Sequence, residues 1–298
     1  MNDYHETVMA SEAIDGLHVE KGGKYIDATA GNGGHMEAIL AEGGKVLGID
    51  LDPRMLEIAE KRLKKAYPTL NKDSGDFKLI YGNFTDMARI AREEEWIPVS
   101  GILFDLGVTN IHLKDQGRGF SFENPEAPLD MRIDPDSQGV TGADLLNVLR
   151  EDQLRDLFEI TLEPGAAKWI TGRVLHSREK SPVKTVGDVL EISRGLKSGK
   201  PSLNEATLPF LAIRIAVNSE LANLKDALPQ AFDLLDKGGR LVVISFHSKE
   251  DAIVKDFFKE KSISDGAKII THKPVRADAS ETEANRRARS AKMRILEK

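Results

Sequence analysis

The chain reads as an α/β protein, a mostly parallel sheet with helices on its faces and a helical domain inserted into it. Three features point that way. Short apolar runs that end in an acid or a serine alternate with helical patterns up to Leu106 and return after Gly239, the rhythm of parallel strands joined by helical crossovers. A Gly-, Pro- and Asp-rich segment from Gly107 to Gly142 separates these stretches and is too long for an ordinary loop. Between that segment and Ser202, helical patterns follow one another without clear strands.

Taken in order, Lys24 to Ala28 forms a short strand, Gly31-Asn32-Gly33-Gly34 a turn, and His35 to Ala41 a helix. Lys45 to Asp50 is an apolar strand closed by an acid. Asp52 then supplies an N-cap and Pro53 suits the first helical position, opening a helix to about Ala66 with Leu56, Ala59 and Leu63 on one face. Phe77 to Tyr81 and Gly101 to Leu106 give two more strands. Helices are expected over Ala143 to Ile160, Gly165 to Ser177 and Val186 to Leu196, with a linker at Lys197 to Ser202. A long helical pattern, bent at Pro209 and Pro229, runs from Thr207 to Leu235. The strand Arg240 to Phe246, the helix Ser248 to Lys261 and closing strands at Ala267 to Thr271 and Ala291 to Leu296 complete the sheet. The domain layout is therefore 1–112 with 203–298 for the sheet and 113–202 for the insertion.

Of the 298 residues, 42 are Lys or Arg and 48 Asp or Glu, and there is no cysteine. That absence excludes a disulfide framework, thiolate zinc and a thiol nucleophile. No run is long and apolar enough to span a bilayer, and the first residues lack a signal peptide's basic and apolar regions, so a cytoplasmic protein is expected. The net charge of −6 hides a local excess, because 286–298 carry six basic residues against Glu297 alone. A basic patch is expected there. The scattered His5, His35, His112 and His247 suggest no metal site.

A strand ending at Asp27, a glycine turn and a helix can receive an anion on backbone N–H groups. Gly31 and Gly33 fit the first two positions of a dinucleotide fingerprint, but the third is Met36, too large for close packing on a pyrophosphate. A phosphate-binding Walker loop fails too, since no Lys-Ser or Lys-Thr follows. What remains is S-adenosylmethionine, with its methionine end on the glycine turn and its ribose on Asp50, nineteen residues after Gly31. Phe84 is placed to cover an adenine. The alternative is that these are turn and cap residues of a domain that binds no cofactor.

Ligands of open parallel sheets sit beyond the carboxyl ends of strands, which nominates Asp105 and the run Ser245-Phe246-His247-Ser248. If the acceptor is a base amine, its lone pair is delocalised into the ring, so the nitrogen must be placed in line with the methyl group and its hydrogens given acceptors. Asp105 can serve. DNA amino-methyltransferases usually place Pro-Pro and an aromatic after the acidic or polar residue here, whereas this chain has Asp105-Leu106-Gly107-Val108. Methylation at cytosine carbon 5 in its usual form needs the missing cysteine.

Nine blocks, read together and in order, resemble the bacterial ribosomal RNA small subunit methyltransferase H family, which methylates cytosine N4. They are Asp27-Ala28-Thr29 through His35; Gly48-Ile49-Asp50 with Asp52-Pro53; Asp105 to Val108; Gly117-Arg118-Gly119-Phe120-Ser121-Phe122; Leu129-Asp130-Met131-Arg132; Arg214 to Asn218 with Glu220-Leu221; Gly238-Gly239-Arg240; Ile244 to Ser248 with Glu250-Asp251; and Arg287 to Lys292. The resemblance implies a Rossmann-like class I methyltransferase fold and S-adenosylmethionine as cofactor. It also implies cofactor contacts at Gly33, Gly34, His35, Asp50, Phe84 and Asp105, and at His112, where members often have Gln.

The implied acceptor is N4 of a decoding-centre cytidine in 16S ribosomal RNA of the small subunit, with Asp105 catalytic. Arg118, Arg132, Arg214, Arg287 and Arg289 become candidates for holding RNA phosphates. The chain departs from the family in two places. Asn204 to Leu208 with Phe210-Leu211 replace a His-Pro-Ala-Thr-Arg run and Phe-Gln, and Ile160 to Gly165 replace a Tyr-Gly-Glu-Glu-Arg-like run. A methyltransferase of another acceptor, or a non-catalytic ribosome assembly factor on the same fold, remain alternatives.

Overall fold

The computed structural model describes residues 7–69, 75–115, 117–197 and 203–298. These fall into two compact units, Met1–Gly107 with Leu221–Lys298, and Val108–Glu220.

The first unit is a seven-stranded sheet. Its strands are β1 (Lys24–Asp27), β2 (Lys45–Asp50), β3 (Phe77–Tyr81), β4 (Val99–Asp105), β5 (Leu235–Ser245), β6 (Lys268–Ile269) and β7 (Lys292–Glu297), in spatial order β3-β2-β1-β4-β5-β7-β6. The first five pair in parallel. The strand β7 runs antiparallel to both β5 and β6. β1, β2 and β4 are short, apolar and largely buried on both faces, as a sheet covered by helices on either side requires, whereas the edge strand β3 is mostly half-buried.

Alternation along the strands separates two cores. Ile26, Leu47, Ile102, Phe104, Leu241 and Val243 face one side. There they meet Ile90 of α4 (Met87–Glu93), Leu224 and Leu228 of α11 (Glu220–Leu234) and Phe258 of α12 (Ser248–Ser264). Tyr25, Val46, Leu103, Val242 and Ile244 face the other. They pack with Leu17 of α1 (Ala10–Leu17), Met36 and Ile39 of α2 (Gly34–Ala41) and Leu63 of α3 (Pro53–Ala66). Met36 explains the failed dinucleotide fingerprint: a Cβ built on Gly48 of β2 would lie 2.5 Å from its sulfur. The side chain at the third fingerprint position fills the space over β2.

The second unit is helical. After α5 (Asn110–Lys114) an irregular segment leads to α6 (Gly142–Val148), α7 (Glu151–Glu159), α8 (Pro164–Lys180), α9 (Val186–Ser193) and α10 (Thr207–Val217) around Leu129, Leu146, Phe158, Ile170, Val189, Phe210 and Ile213. This unit is wider than the expected 113–202 at both ends. The reason is visible in α10, whose Phe210, Ala212 and Ile213 bury into the helical core.

Two expected helices are each divided. The first breaks at Leu149-Arg150, where Gln153 accepts a hydrogen bond from the Arg150 N–H (3.1 Å) and starts α7 afresh. The second breaks at Asn218-Ser219, with Ser219 in the left-handed region at φ 51°, and not at either proline. Pro209 falls in the first turn of α10, where its missing N–H has no helical partner to lose, and Pro229 stays inside α11. The linker expected over 197–202 lies, Lys197 apart, outside the described residues. The helix α1 and the short helices α4 and α13 (Ala279–Ala284) were not expected.

The basic patch expected over 286–298 is largely dispersed, because β7 sits inside the sheet between β5 and β6. Lys292 and Arg294 both pair with Asp251 of α12, at 3.1 and 2.6 Å. The Lys298 amine donates to the carbonyls of Asp233 and Leu235.

Candidate active site

The strand order reverses between β1 and β4, since the chain moves outward through β2 and β3 on one side and through β5 on the other. At such a switch point the connections leave in opposite directions and open a crevice at the carboxyl ends. Asp27 and Asp105 terminate the two strands that flank it.

Asp27 is fully buried, and its Oδ1 accepts the Thr29 N–H at 3.2 Å. Its Oδ2 has no hydrogen-bond partner among the described residues. Burial, with the like charges of Asp105 and Asp50, raises its pKa from 3.8 to about 7. In Asp105 too, Oδ1 is buried and lacks a partner. Burial raises its pKa, and the Arg287 guanidinium acts against that rise. The two acids are tied by Thr29, whose Oγ1 accepts the Asp105 backbone N–H at 2.7 Å. Unpartnered buried carboxylate oxygens carry a desolvation cost that a bound cation or donor would offset.

The glycine turn lies between β1 and α2. Gly33 has φ 80°, and a Cβ there would approach Ala59 of α3 to 3.0 Å, so both conformation and close packing call for glycine. Asp50 holds this turn from the end of β2: its Oδ2 accepts the Gly31 N–H at 2.7 Å and its Oδ1 the Asp52 N–H at 2.8 Å. His35, in the first turn of α2, is buried with Nε2 3.1 Å from the Val8 carbonyl. Burial lowers its pKa and keeps the imidazole neutral, so Nε2 carries the hydrogen donated to Val8. Phe84, in a short 3-10 turn after β3, packs edge-on against Phe104 with centroids 5.6 Å apart.

The Ser245-Phe246-His247-Ser248 run explains itself once Glu250 is included. His247 is the N-cap of α12, and the buried Glu250 carboxylate accepts the N–H groups of Phe246 (2.8 Å) and His247 (3.2 Å). This is a capping box with His in the usual Ser/Thr place. It aims the end of β5, and Phe246 in turn lies under the Arg287 guanidinium at 4.9 Å.

Asp27, Asp50, Phe84, Asp105, His35, the glycine turn and Arg287 all belong to the sheet unit. The remaining expected site residues, Arg289 apart, belong to the helical unit, and each is engaged there. The His112 Nδ1 accepts the Thr109 N–H at 3.2 Å in a capping box, and its ring lies 5.7 Å from that of Phe120. Arg118 donates to Asp115 (2.9 Å) and to the Ile133 carbonyl (3.0 Å). Arg132 makes a two-pronged pair with Asp130, both bonds at 2.7 Å, and donates to the Gln138 carbonyl. Arg214 makes another with Glu220, at 2.9 and 3.0 Å. These three arginines order their own unit and are mostly buried. Arg289, in the sheet unit, is exposed, with Nε on the Thr282 carbonyl.

The family model for the MraW methylase family matches residues 2–298. The chain belongs to that family. Relatives named ribosomal RNA small subunit methyltransferase H are 39% identical in Methylacidiphilum infernorum, over 98% of this chain and 93% of the relative. The corresponding protein of Dictyoglomus thermophilum is 40% identical, over 99% and 96%. That of Thermomicrobium roseum is 40% identical, over 99% and 93%.

Sequence reasoning left Asp27, Thr29 and Glu250 without a role. A signal existed for each: Asp27 is an acid that ends an apolar strand, as Asp50 and Asp105 are, Thr29 follows it by two residues, and His247 with Glu250 has the spacing of a capping box.

Proposed function

We propose that this chain transfers a methyl group from S-adenosylmethionine to the N4 amine of a cytidine in the decoding centre of small-subunit ribosomal RNA. The observation that carries the reading is the pair of buried carboxylates, Asp27 and Asp105, each with an unpartnered oxygen, that close the strands on either side of the switch point. Membership of the MraW methylase family and the names of the relatives support the substrate class.

The donor set suits this cofactor. The left-handed turn at Gly33 leads into the first turn of α2, whose backbone N–H groups are offered to a carboxylate. Asp50, at the end of β2, is the carboxylate placed for a ribose diol, and Phe84, after β3, the apolar ring for a base. When bound, the cofactor supplies an electrophilic methyl group on a cationic sulfur. The negative charge of Asp27 and Asp105 favours such a cation at the switch point.

Asp105 accepts a hydrogen from the target amine and so orients its lone pair; a raised pKa makes it a better acceptor than an exposed aspartate. Arg287 limits that rise. The helical unit recognises the RNA. Single-turnover transfer from labelled cofactor to undermethylated small subunits tests the reading: Asp105→Asn should lower the rate by about two orders of magnitude with cofactor affinity changed far less. Equal rates would remove the role given to Asp105.

A further inference from the structure

The arginines expected to hold RNA in the helical unit are committed to carboxylates within it. The unit's uncommitted positive charge lies elsewhere. Between Pro164 and Gly187 stand Lys168, Arg173, Arg178, Lys180 and Lys184 against one acid, Glu179. The helix before, α7, has the opposite balance: Glu151, Asp152, Asp156 and Glu159 against Arg155.

On α8 the exposed Lys168, Trp169, Gly172, Arg173, His176 and Lys180 fall within about 140° of the circumference at roughly 3.6 residues per turn, and they share that face with one acid, the exposed Glu179. Lys168, His176 and Lys180 make no ion pair among the described residues. Trp169 is 40% exposed, whereas the chain's other tryptophan, Trp96, is buried. The Arg173 guanidinium lies 5.4 Å from the Trp169 ring and is fixed by bonds to the carbonyls of Glu191 (3.0 Å) and Ile192 (3.3 Å). The indole is thus backed by a cation and held at the surface. Gly172 leaves the helix backbone open, with nothing within 4 Å of a built Cβ, in a helix interior where alanine would be more stable.

We infer that this face of α8 is a ribosomal RNA docking surface on which Trp169 stacks an unpaired base while Lys168 and Lys180 meet the flanking phosphates. Charge complementarity selects the partner: a cationic strip with an exposed aromatic in an otherwise acidic unit fits a polyanion with π-faces. The inference rests on the rRNA reading above and adds where the RNA is held. Arg178 is not part of it, because its Nη1 donates to the carbonyls of Leu146 and Leu149 at the end of α6.

The test compares the wild-type chain with Trp169→Ala, with Lys168→Glu/Lys180→Glu and with Gly172→Leu in methyl transfer to undermethylated small subunits. KM for subunits should rise about tenfold in the first two variants, the loss expected for one stacked base or two phosphate contacts. It should also rise in the third; the affinity for S-adenosylmethionine should stay within error in all three, and the melting temperature should stay within error in the first two and not fall in the third. The salt slope of binding should fall by about one to two in the charge variant. Photo-crosslinking from position 169 should reach a nucleotide. Unchanged KM in all three variants, or crosslinks confined to ribosomal proteins, would overturn the inference. If the wild-type chain methylates no ribosomal RNA, the functional reading fails separately, and subunit binding by the same variants still decides whether α8 holds RNA.

Discussion

Replacing Asp27 by asparagine reads the buried carboxyl directly. Asp27 is fully buried at the end of β1, with Asp105 facing it from β4, Asp50 from β2 and the Thr29 N–H as a donor. Burial and the two like charges move its pKa from 3.8 to about 7. In the unfolded chain the group ionises near 3.8, so across the interval up to about 7 the folded protein holds a proton that the unfolded chain has released. Its contribution to stability is therefore full below the unfolded value and is lost as pH rises through about 7. Each tenfold change in proton affinity is worth roughly 1.4 kcal/mol, and the loss above neutrality comes to about 4 kcal/mol. Asp27→Asn keeps the shape and cannot ionise. Urea unfolding of both proteins should give the variant an advantage that grows by up to about 4 kcal/mol between about pH 4 and about pH 8. A difference that is the same at both pH values would refute the assignment of a shared buried charge at the switch point.

The same charge should act on the cofactor: S-adenosylmethionine affinity of the wild type should increase as pH rises through about 7, and calorimetry on Asp27→Asn should show a flatter profile. Gly33→Ala forces a left-handed φ on a side chain that meets Ala59, and should cost about 1–3 kcal/mol in chemical denaturation. Thr29→Val removes the acceptor of the Asp105 N–H and should cost about 1 kcal/mol of stability, with a larger proportional fall in turnover than in cofactor affinity. Arg214→Ala leaves Glu220 without its two-pronged partner; it should lower stability by about 1–3 kcal/mol while the salt dependence of subunit binding stays as in the wild type.

The sheet was legible because β1, β2 and β4 are short runs, mostly apolar, that each end in a carboxylate, Asp27, Asp50 and Asp105, and because the apolar run Leu241 to Ile244 marks β5. The two helix breaks were not, since apolar residues continue at helical spacing across both, and neither Leu149-Arg150 nor Asn218-Ser219 contains the glycine or proline that would announce a stop. The prolines that are present, Pro209 and Pro229, sit where the helix tolerates them.

At the site, the acids and the glycine turn could be named from position alone. What a linear reading missed was occupancy. Arg118, Arg132 and Arg214 each have their acid within two to six residues, at Asp115, Asp130 and Glu220, so local pairing was a stronger expectation than phosphate binding. The basic count over 286–298 failed for a related reason: Lys292 and Arg294 lie on β7, and their carboxylate, Asp251, is some forty residues away in sequence on α12. The strip on α8 escaped notice because its members become neighbours only on a helical surface.

Nucleoside mass analysis of small-subunit RNA, after incubation of undermethylated subunits with the purified chain and labelled S-adenosylmethionine, is the most direct test of the reaction. Label in N4-methylcytidine, at a single decoding-centre position, is the expected result. Label in another nucleoside, or none in RNA while cofactor binding is intact, would contradict it.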